Sequence, residues 1–373
     1  MRRVGLIKKK FLTQHEIGHI IDYLIRAEKQ HKWTKRQYAA WVELYNNKDE
    51  VISRIYHSLN QQYWEFKPFK VFDIVENGKH RKILESCPED LIVDTLLFRC
   101  LEYVFIDVKK MIHPNSYGSI RNKGQHKLRQ KIIRMLRDNY NGVVAIVDTK
   151  QYYPTINHEV MMDIIKRHVK DKWLIWLVDI TLQRMGDKGI ALGLPSSNIL
   201  GHVYHSEVDW KMTNLYGCKN YYRFCDDKYI ITDNTATAHE YAKILRELIV
   251  NDLKQEYKPN WRVASVKTER VDILGAMVNS ENAYLRRKLR RSIERRLRRI
   301  GLEPYERFKA QKVWGGIKGS LRDLTAGNLI KCWKNKYPRF FDCLLWDKDR
   351  TKIMRKAKRK HKKLEKYILR KWA

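Results

Sequence analysis

No apolar run in this sequence approaches the roughly 20 residues that a membrane-spanning helix needs. The longest clean one, Val143–Val147, is strand-sized. The start, Met1-Arg2-Arg3-Val4-Gly5, is basic but has no apolar signal core behind it, so a cytoplasmic protein is expected. Cysteine is scarce as well. The six residues Cys87, Cys100, Cys218, Cys225, Cys332 and Cys343 form no C-x-x-C pair and no zinc-framework spacing, and read as reduced structural thiols. The third shortage is of acid. Asp plus Glu number 42 against 76 Lys plus Arg, a formal net charge of +34. A field of that sign favours polyanions, nucleic acid ahead of an anionic membrane surface.

What is present is an ordinary globular share of apolar residues, 43% of 373, enough for a sizeable core. Periodicity predicts helices from 13 to about 66, with Thr13 and Glu16 spaced as a capping box. Phe69–Val75 alternates like a strand, Asn77-Gly78 is a strong hairpin signal, and His80–Leu84 returns. Helices are expected over 90–108, 125–137, 158–170, 173–185, 198–215 and 236–257. A buried strand is expected at Val143–Val147, short strands at Tyr221–Phe224 and Lys228–Ile231, and a strand over Arg270–Val278. Leu285, Leu289, Ile293, Leu297 and Ile300 form one apolar helical stripe on an otherwise Arg-rich segment, and residues 346–373 read as a basic tail. Strands flanked by helices, with helices at both ends, give an α+β class. The expected division is 1–66 helical, 67–282 mixed, 283–345 helical, then the tail.

In so basic a chain, aspartates at strand ends and turn tips need a reason. Asp148 directly follows the buried strand, and Asp226-Asp227 sit at the apparent tip of a tight hairpin. Adjacent carboxylates repel, and a divalent cation removes the repulsion. Mg²⁺ prefers a few carboxylates together with substrate phosphates. An Asp-Asp pair alone is also common in exposed surface turns.

The ordered set of segments says more. Val143-Val144-Ala145-Ile146-Val147-Asp148 through Tyr153-Pro154-Thr155-Ile156 resembles motif A of reverse transcriptases. Gly193-Leu194-Pro195 with its following helix to Asp209 resembles motif B, and Tyr222-Arg223-Phe224-Cys225-Asp226-Asp227 resembles motif C. Val271-Asp272-Ile273-Leu274-Gly275 looks like motif E, Arg81-Lys82-Ile83 like the basic fingers motif, and Ser116-Tyr117 to Gly124 like the loop before motif A in bacterial enzymes. The likeness runs from about Lys67 to Gly319.

That resemblance implies a right-hand polymerase: fingers, a palm with an antiparallel, RRM-like sheet, and a helical thumb. It implies an RNA-directed DNA polymerase with two Mg²⁺ ions (Mn²⁺ as substitute) held by Asp148, Asp226, Asp227 and the Thr149 carbonyl. Lys267 would be the motif D proton donor. Tyr153 would be the steric gate that excludes a 2′-hydroxyl, with Lys79, Arg81, Ser196 and Asn198 also at the nucleotide. Cys225, Arg287, Arg291 and Arg295 would face template and primer. The implied partners are an RNA template, a DNA or RNA primer and dNTPs; the basic tail would take a structured RNA or a small accessory protein.

Motif B departs from the family pattern. Where the family has Gln-Gly and later Ser-Pro, this chain has Ser196-Ser197 and Gly201-His202. Diversity-generating retroelement enzymes also lack that Gln, and Asn198 fits their pattern. A shorter side chain beside the templating base implies lower fidelity. The expected setting is a diversity-generating retroelement, with an antiviral or retron-like enzyme that uses a dedicated noncoding RNA as the alternative. Three other readings stand beside these: a non-catalytic RNA-binding protein, an RNA-templated RNA polymerase of similar palm, and a zinc hydrolase, since His15-Glu16-Ile17-Gly18-His19 matches H-E-x-x-H.

Overall fold

The structure, a computed structural model, describes residues 3–28, 35–76, 79–138, 142–322 and 324–371; side chains at 27, 28, 35, 36, 38, 74–76, 79–81, 304, 305, 354 and 356–371 are outside the description. It is mixed helix and sheet. The chain opens with α1 (Ile7–Phe11), α2 (Gln14–Glu28), α3 (Lys35–Asn46) and α4 (Lys48–Asn60). The strands β1 (Lys70–Glu76) and β2 (Lys79–Glu85) follow, then α5 (Pro88–Glu102) and α6 (Gln125–Asp138). Next come β3 (Val143–Asp148), α7 (His158–His168), α8 (Lys172–Gln183) and α9 (Pro195–Trp210). The strands β4 (Tyr221–Phe224) and β5 (Asp227–Thr232) precede α10 (Thr235–Asn251) and β6 (Arg262–Ser265). Three short strands, β7 (Val271–Ile273), β8 (Ala276–Val278) and β9 (Ala283–Leu285), lead to α11 (Arg287–Leu302), α12 (Ala310–Leu321), α13 (Gly327–Lys336) and α14 (Pro338–Lys371).

These elements fall into two units, Met1–Gly124 with Val144–Val263, and Gln125–Val143 with Ala264–Ala373. The division differs from the four consecutive segments expected, and the N-terminal helices show why. The Asp171 carboxylate caps α8 by accepting from Leu174 N (3.2 Å) and also accepts from Ile7 N (2.6 Å) and Lys8 N (3.0 Å) at the start of α1. One side chain thus satisfies orphan amides of two helices. Val4 adds a backbone pair with His168 and Lys170, both at 2.8 Å. Farther on, α2 packs on α4 and α5. The capping box is half formed: Thr13 Oγ1 accepts from Glu16 N (3.0 Å), whereas the Glu16 carboxylate bonds Arg99 instead (2.5 Å).

The first unit carries a sheet in the order β4-β5-β3-β6. Four of the five residues Val143–Val147 are fully or almost fully buried, as expected of a central strand covered on both faces. A separate antiparallel pair joins β1 to β2, with Glu76 opposite Lys79; the Asn77-Gly78 turn lies outside the described residues. Two helices end differently from expectation. The segment 90–108 is α5 followed by a π-helical turn, Tyr103–Val108, and α9 begins at Pro195 and passes into a second π-helical turn, Lys211–Leu215.

In the second unit Arg270–Val278 is not one strand. Leu274 (φ 46°) and Gly275 (φ 87°) fold it into the β7–β8 hairpin, a left-handed pair that glycine tolerates and leucine adopts at a cost. The expected stripe is also shorter. Leu285 belongs to β9 and Leu289 is exposed, while Ile293, Leu297 and Ile300 pack with Trp333 and Phe340 of α13 and α14. The Trp333 indole N–H donates to Glu294 (3.0 Å), which satisfies its one polar atom. Residues 346–371 continue α14 as helix. Among the described residues no helix is long and apolar enough to cross a membrane.

Candidate carboxylate site

β3 delivers Asp148 at its end, and two neighbours fix that end. On one side Thr149 N donates to Asp226 O (3.2 Å), joining β3 to the tip of the β4–β5 hairpin. On the other, Lys258 N donates to Asp148 O (2.7 Å) and Lys150 N to Glu256 O (2.8 Å). The hairpin register sets Phe224 opposite Asp227, leaving Cys225 and Asp226 as the loop. Cys225 takes φ 52°, a left-handed conformation that costs a non-glycine residue on the order of 1–2 kcal/mol. Such strain gathers at functional turns.

The three carboxylates feel one another. Burial raises the Asp227 pKa to about 6, with repulsion from Asp226 and then Asp148 adding to it. Burial also raises Asp148, against the pull of its hydrogen bond to Lys258, and Asp226 adds repulsion. Lys258 moves up as well: burial opposes its charge, but the bond to Asp148 and the attraction of Asp148, Asp226 and Asp227 together outweigh it. Asp148 is the more enclosed of this ion pair, so desolvation prevails at the carboxylate while the pairing prevails at Lys258. Its Oδ1 is buried with no hydrogen-bond partner.

Beneath this acidic tip lie two cations that the sequence reading missed. Arg223 and Lys228 face each other across β4 and β5, both wholly buried. Like charges so paired destabilise a sheet unless each is answered. Lys228 Nζ donates to Thr149 Oγ1 and to Asp226 O (3.1 Å), which binds the hairpin tip to β3. Burial, then the neighbouring Arg223, lowers the Lys228 pKa to about 8. Arg223 is answered by Asp209 of α9, 2.7 Å from Nη2 to Oδ2, and Asp209 also accepts from Tyr221 OH (2.7 Å) and Ser116 Oγ (2.9 Å). Inward lysine and arginine on an apolar hairpin were the available signal.

The Tyr153 hydroxyl donates to Asn198 Oδ1 (3.3 Å), and its ring meets Tyr152 edge-on at 5.0 Å. Gly201 lets both rings approach α9: a Cβ there would stand 3.2 Å from the Tyr152 ring and 3.4 Å from that of Tyr153. The Tyr152 hydroxyl donates to Gly201 O (2.7 Å). Gly118 has a comparable role, since a Cβ on it would collide with Cys225 Sγ.

Other expected site residues are placed differently. Ser196 is fully buried, its amide donating to Asp94 (3.1 Å) and its hydroxyl to the same carboxylate, so it anchors the start of α9 and does not face a nucleotide. Burial raises the Asp94 pKa to about 6 against those two bonds. Lys267 lies in the second unit, in the turn after β6; the lysine brought to Asp148 is Lys258. Arg287, Arg291 and Arg295 line one face of α11 in the second unit, beside Glu294 and Tyr337. Lys79 and Arg81 are on β2, but their side chains lie outside the description. His15 and His19 meet edge-on at the surface and share a hydrogen bond (Nε2 to Nε2, 3.2 Å), and Glu16 is paired with Arg99. Among the described residues no group of three or more His, Cys, Asp or Glu side chains stands ready to hold a metal ion, neither H-E-x-x-H nor the Asp148, Asp226 and Asp227 set.

No known family profile matches the chain. Part of it is similar to the COX1/OXI3 intron 1 protein of Saccharomyces cerevisiae, 28% identical over 162 residues, covering 41% of this chain and 18% of that one. It is also similar to Protein YkfC of Escherichia coli, 24% identical over 187 residues, covering 47% of this chain and 46% of that one. The chain thus spans less than half the length of either relative. One stretch of it is related, weakly, to an intron-encoded protein.

Proposed function

We propose that the chain is a reverse transcriptase, adding deoxynucleotides to a primer on an RNA template with a right-hand polymerase arrangement. One observation carries this reading: Asp148, at the end of a buried strand, is joined through Thr149 to the hairpin tip that bears Asp226 and Asp227, 78 and 79 positions later. The three carboxylates do not stand as a ready-made metal site, and a divalent cation is what would draw them into one set. Asp148 Oδ1 is buried without a partner, Asp227 is held back from ionising by burial and then by its acidic neighbours, and Lys258 already brings one positive charge. Two such ions would polarise the attacking hydroxyl and neutralise charge on the triphosphate.

The protein's own groups do the rest. Asp148 and Asp226 would ligate, with Asp227 assisting and the Thr149 carbonyl completing the set. Lys258 replaces Lys267 as the candidate to protonate the departing pyrophosphate, because it is the lysine in contact with the carboxylates. Tyr153, fixed by Asn198 and Tyr152, is suited to stack under the sugar. The Arg face of α11 would hold the duplex through its phosphates, giving strong salt dependence. The similarity to an intron-encoded protein fits this class without choosing among its members.

Primer extension on a defined RNA template, with dNTPs or NTPs, tests the reading. Extension should require Mg²⁺ or Mn²⁺, stop with EDTA and favour dNTPs; sequencing the products gives the error rate, expected to be high. No extension with either metal would reject it in favour of a non-catalytic RNA-binding protein. Tyr153→Gly should narrow the preference for dNTPs over NTPs by roughly 10–100-fold, the scale of one or two pocket contacts. Unchanged discrimination in that variant would remove Tyr153 from the gate.

A further inference from the structure

Both π-helical turns of the first unit border one cavity. After α5, Lys109 N reaches back to Val104 O (2.9 Å); after α9, Tyr216 N reaches back to Lys211 O (3.0 Å). Such turns are rare and concentrate at functional sites. Between them, and against the end of α7, lies a cavity of about 550 Å³. That size lies within the range of small-ligand sites. None of its walls belongs to the carboxylate site.

Its lining has three chemical parts. Lys109, Lys110 and Lys211 are among its lining residues; Lys211 is paired with Asp252 (2.7 Å), and Lys110 holds φ 48°, a left-handed backbone for a long side chain. Met111, Trp210 and Leu215 supply an apolar wall; Leu215 is 68% exposed. Trp210 is locked in place, its indole N–H donating to Met111 O (2.7 Å) and its ring edge-on to His113 at 4.5 Å. The third part is polar. His168 is 7% exposed and its Nδ1 has no hydrogen-bond partner, while its Nε2 faces Glu207 at 4.0 Å. Asn214 adds a side-chain amide beside it.

Ammonium groups beside a fixed indole and a side-chain amide match phosphate, base face and base edge in turn. We infer that this cavity takes one unstacked nucleotide of a single-stranded nucleic acid. The inference rests on the chain handling nucleic acid and not on polymerisation. The phosphate would sit on Lys109 and Lys110 and the base against Trp210 and Leu215, with Asn214 reading its edge.

Photo-cross-linking to the full chain tests this. The probes are 12-residue single strands, one RNA bearing 4-thiouridine and one DNA bearing 4-thiothymidine, with cross-linked peptides identified by mass spectrometry. Either probe should mark the peptides containing Met111 or Trp210. In Lys110→Glu and in Leu215→Glu, two exposed positions that folding tolerates, those marks should fall by roughly tenfold, the scale of one lost stacking contact. Marks elsewhere on the chain should persist. Cross-links elsewhere but none in the cavity would overturn the inference, as would undiminished cavity marks in both variants. Cavity marks in a chain that fails to extend primers would uphold it while rejecting the polymerase reading.

Discussion

Asp226→Asn will lower metal-dependent primer extension by about a thousandfold or more, the scale of losing a preorganised charge at a reacting centre. It will do so without loosening the fold. Asp226 contributes its backbone carbonyl to Thr149 and Lys228, and asparagine keeps that carbonyl. Removing its charge relieves Asp227, which burial and then Asp226 hold near a pKa of about 6.

A pH signature follows for the metal-free protein. A carboxyl whose folded pKa is raised binds more protons folded than unfolded. Its contribution to stability is therefore fully present below about pH 4 and is lost as pH rises through about 6. Asp227 and Asp94 both act in this window. In Asp226→Asn the Asp227 share shrinks, so the decline in Tm between about pH 4 and 6 should be shallower. Full activity in the variant would reject the polymerase reading, and a strong loss of Tm would show that the side chain is structural.

Breaking the Arg223–Asp209 pair will unfold a large fraction of the protein's stability, about 3–5 kcal/mol for Arg223→Met. The cost is not the value of the ion pair but the charge left behind. Both side chains are wholly buried. Burial works against ionising Asp209, yet Arg223 together with its hydrogen bonds holds the carboxyl below its ordinary range. Without Arg223 the carboxylate keeps only Tyr221 OH and Ser116 Oγ. The double variant Arg223→Met/Asp209→Leu should cost less than the sum of the singles by more than about 1 kcal/mol. Urea unfolding measures all three, and strict additivity would show that the two side chains do not act as a pair. Because Arg223 also donates to Cys225 O (3.4 Å) and Tyr152 OH (3.3 Å), the single variant should disturb the hairpin tip before the chain unfolds.

Much of this was legible in the chain itself. Five apolar residues ending at Asp148 could only be a covered strand with an acid at its mouth. The two short runs around Cys225-Asp226-Asp227 had to turn there. Amphipathic spacing gave α6 to α9 and α11, and the charge of +34 set the expectation of a polyanionic partner. Those features depend on local periodicity and on net composition, which need no long-range contact to be read.

Contacts between residues far apart in the chain had no such local trace. Lys258 reaches Asp148 across 110 positions, and Ser196 turns away from solvent because Asp94, 102 positions earlier, takes both its donors. Asp171 fastens α1 to the first unit, against the expectation of a separate helical segment. The sequence named Lys267 for this task, and packing is what brings Lys258 to Asp148. Periodicity fixes which way a side chain leans from its own element; which partner waits there, and whether a buried charge is answered, is decided when the strands and helices close on one another.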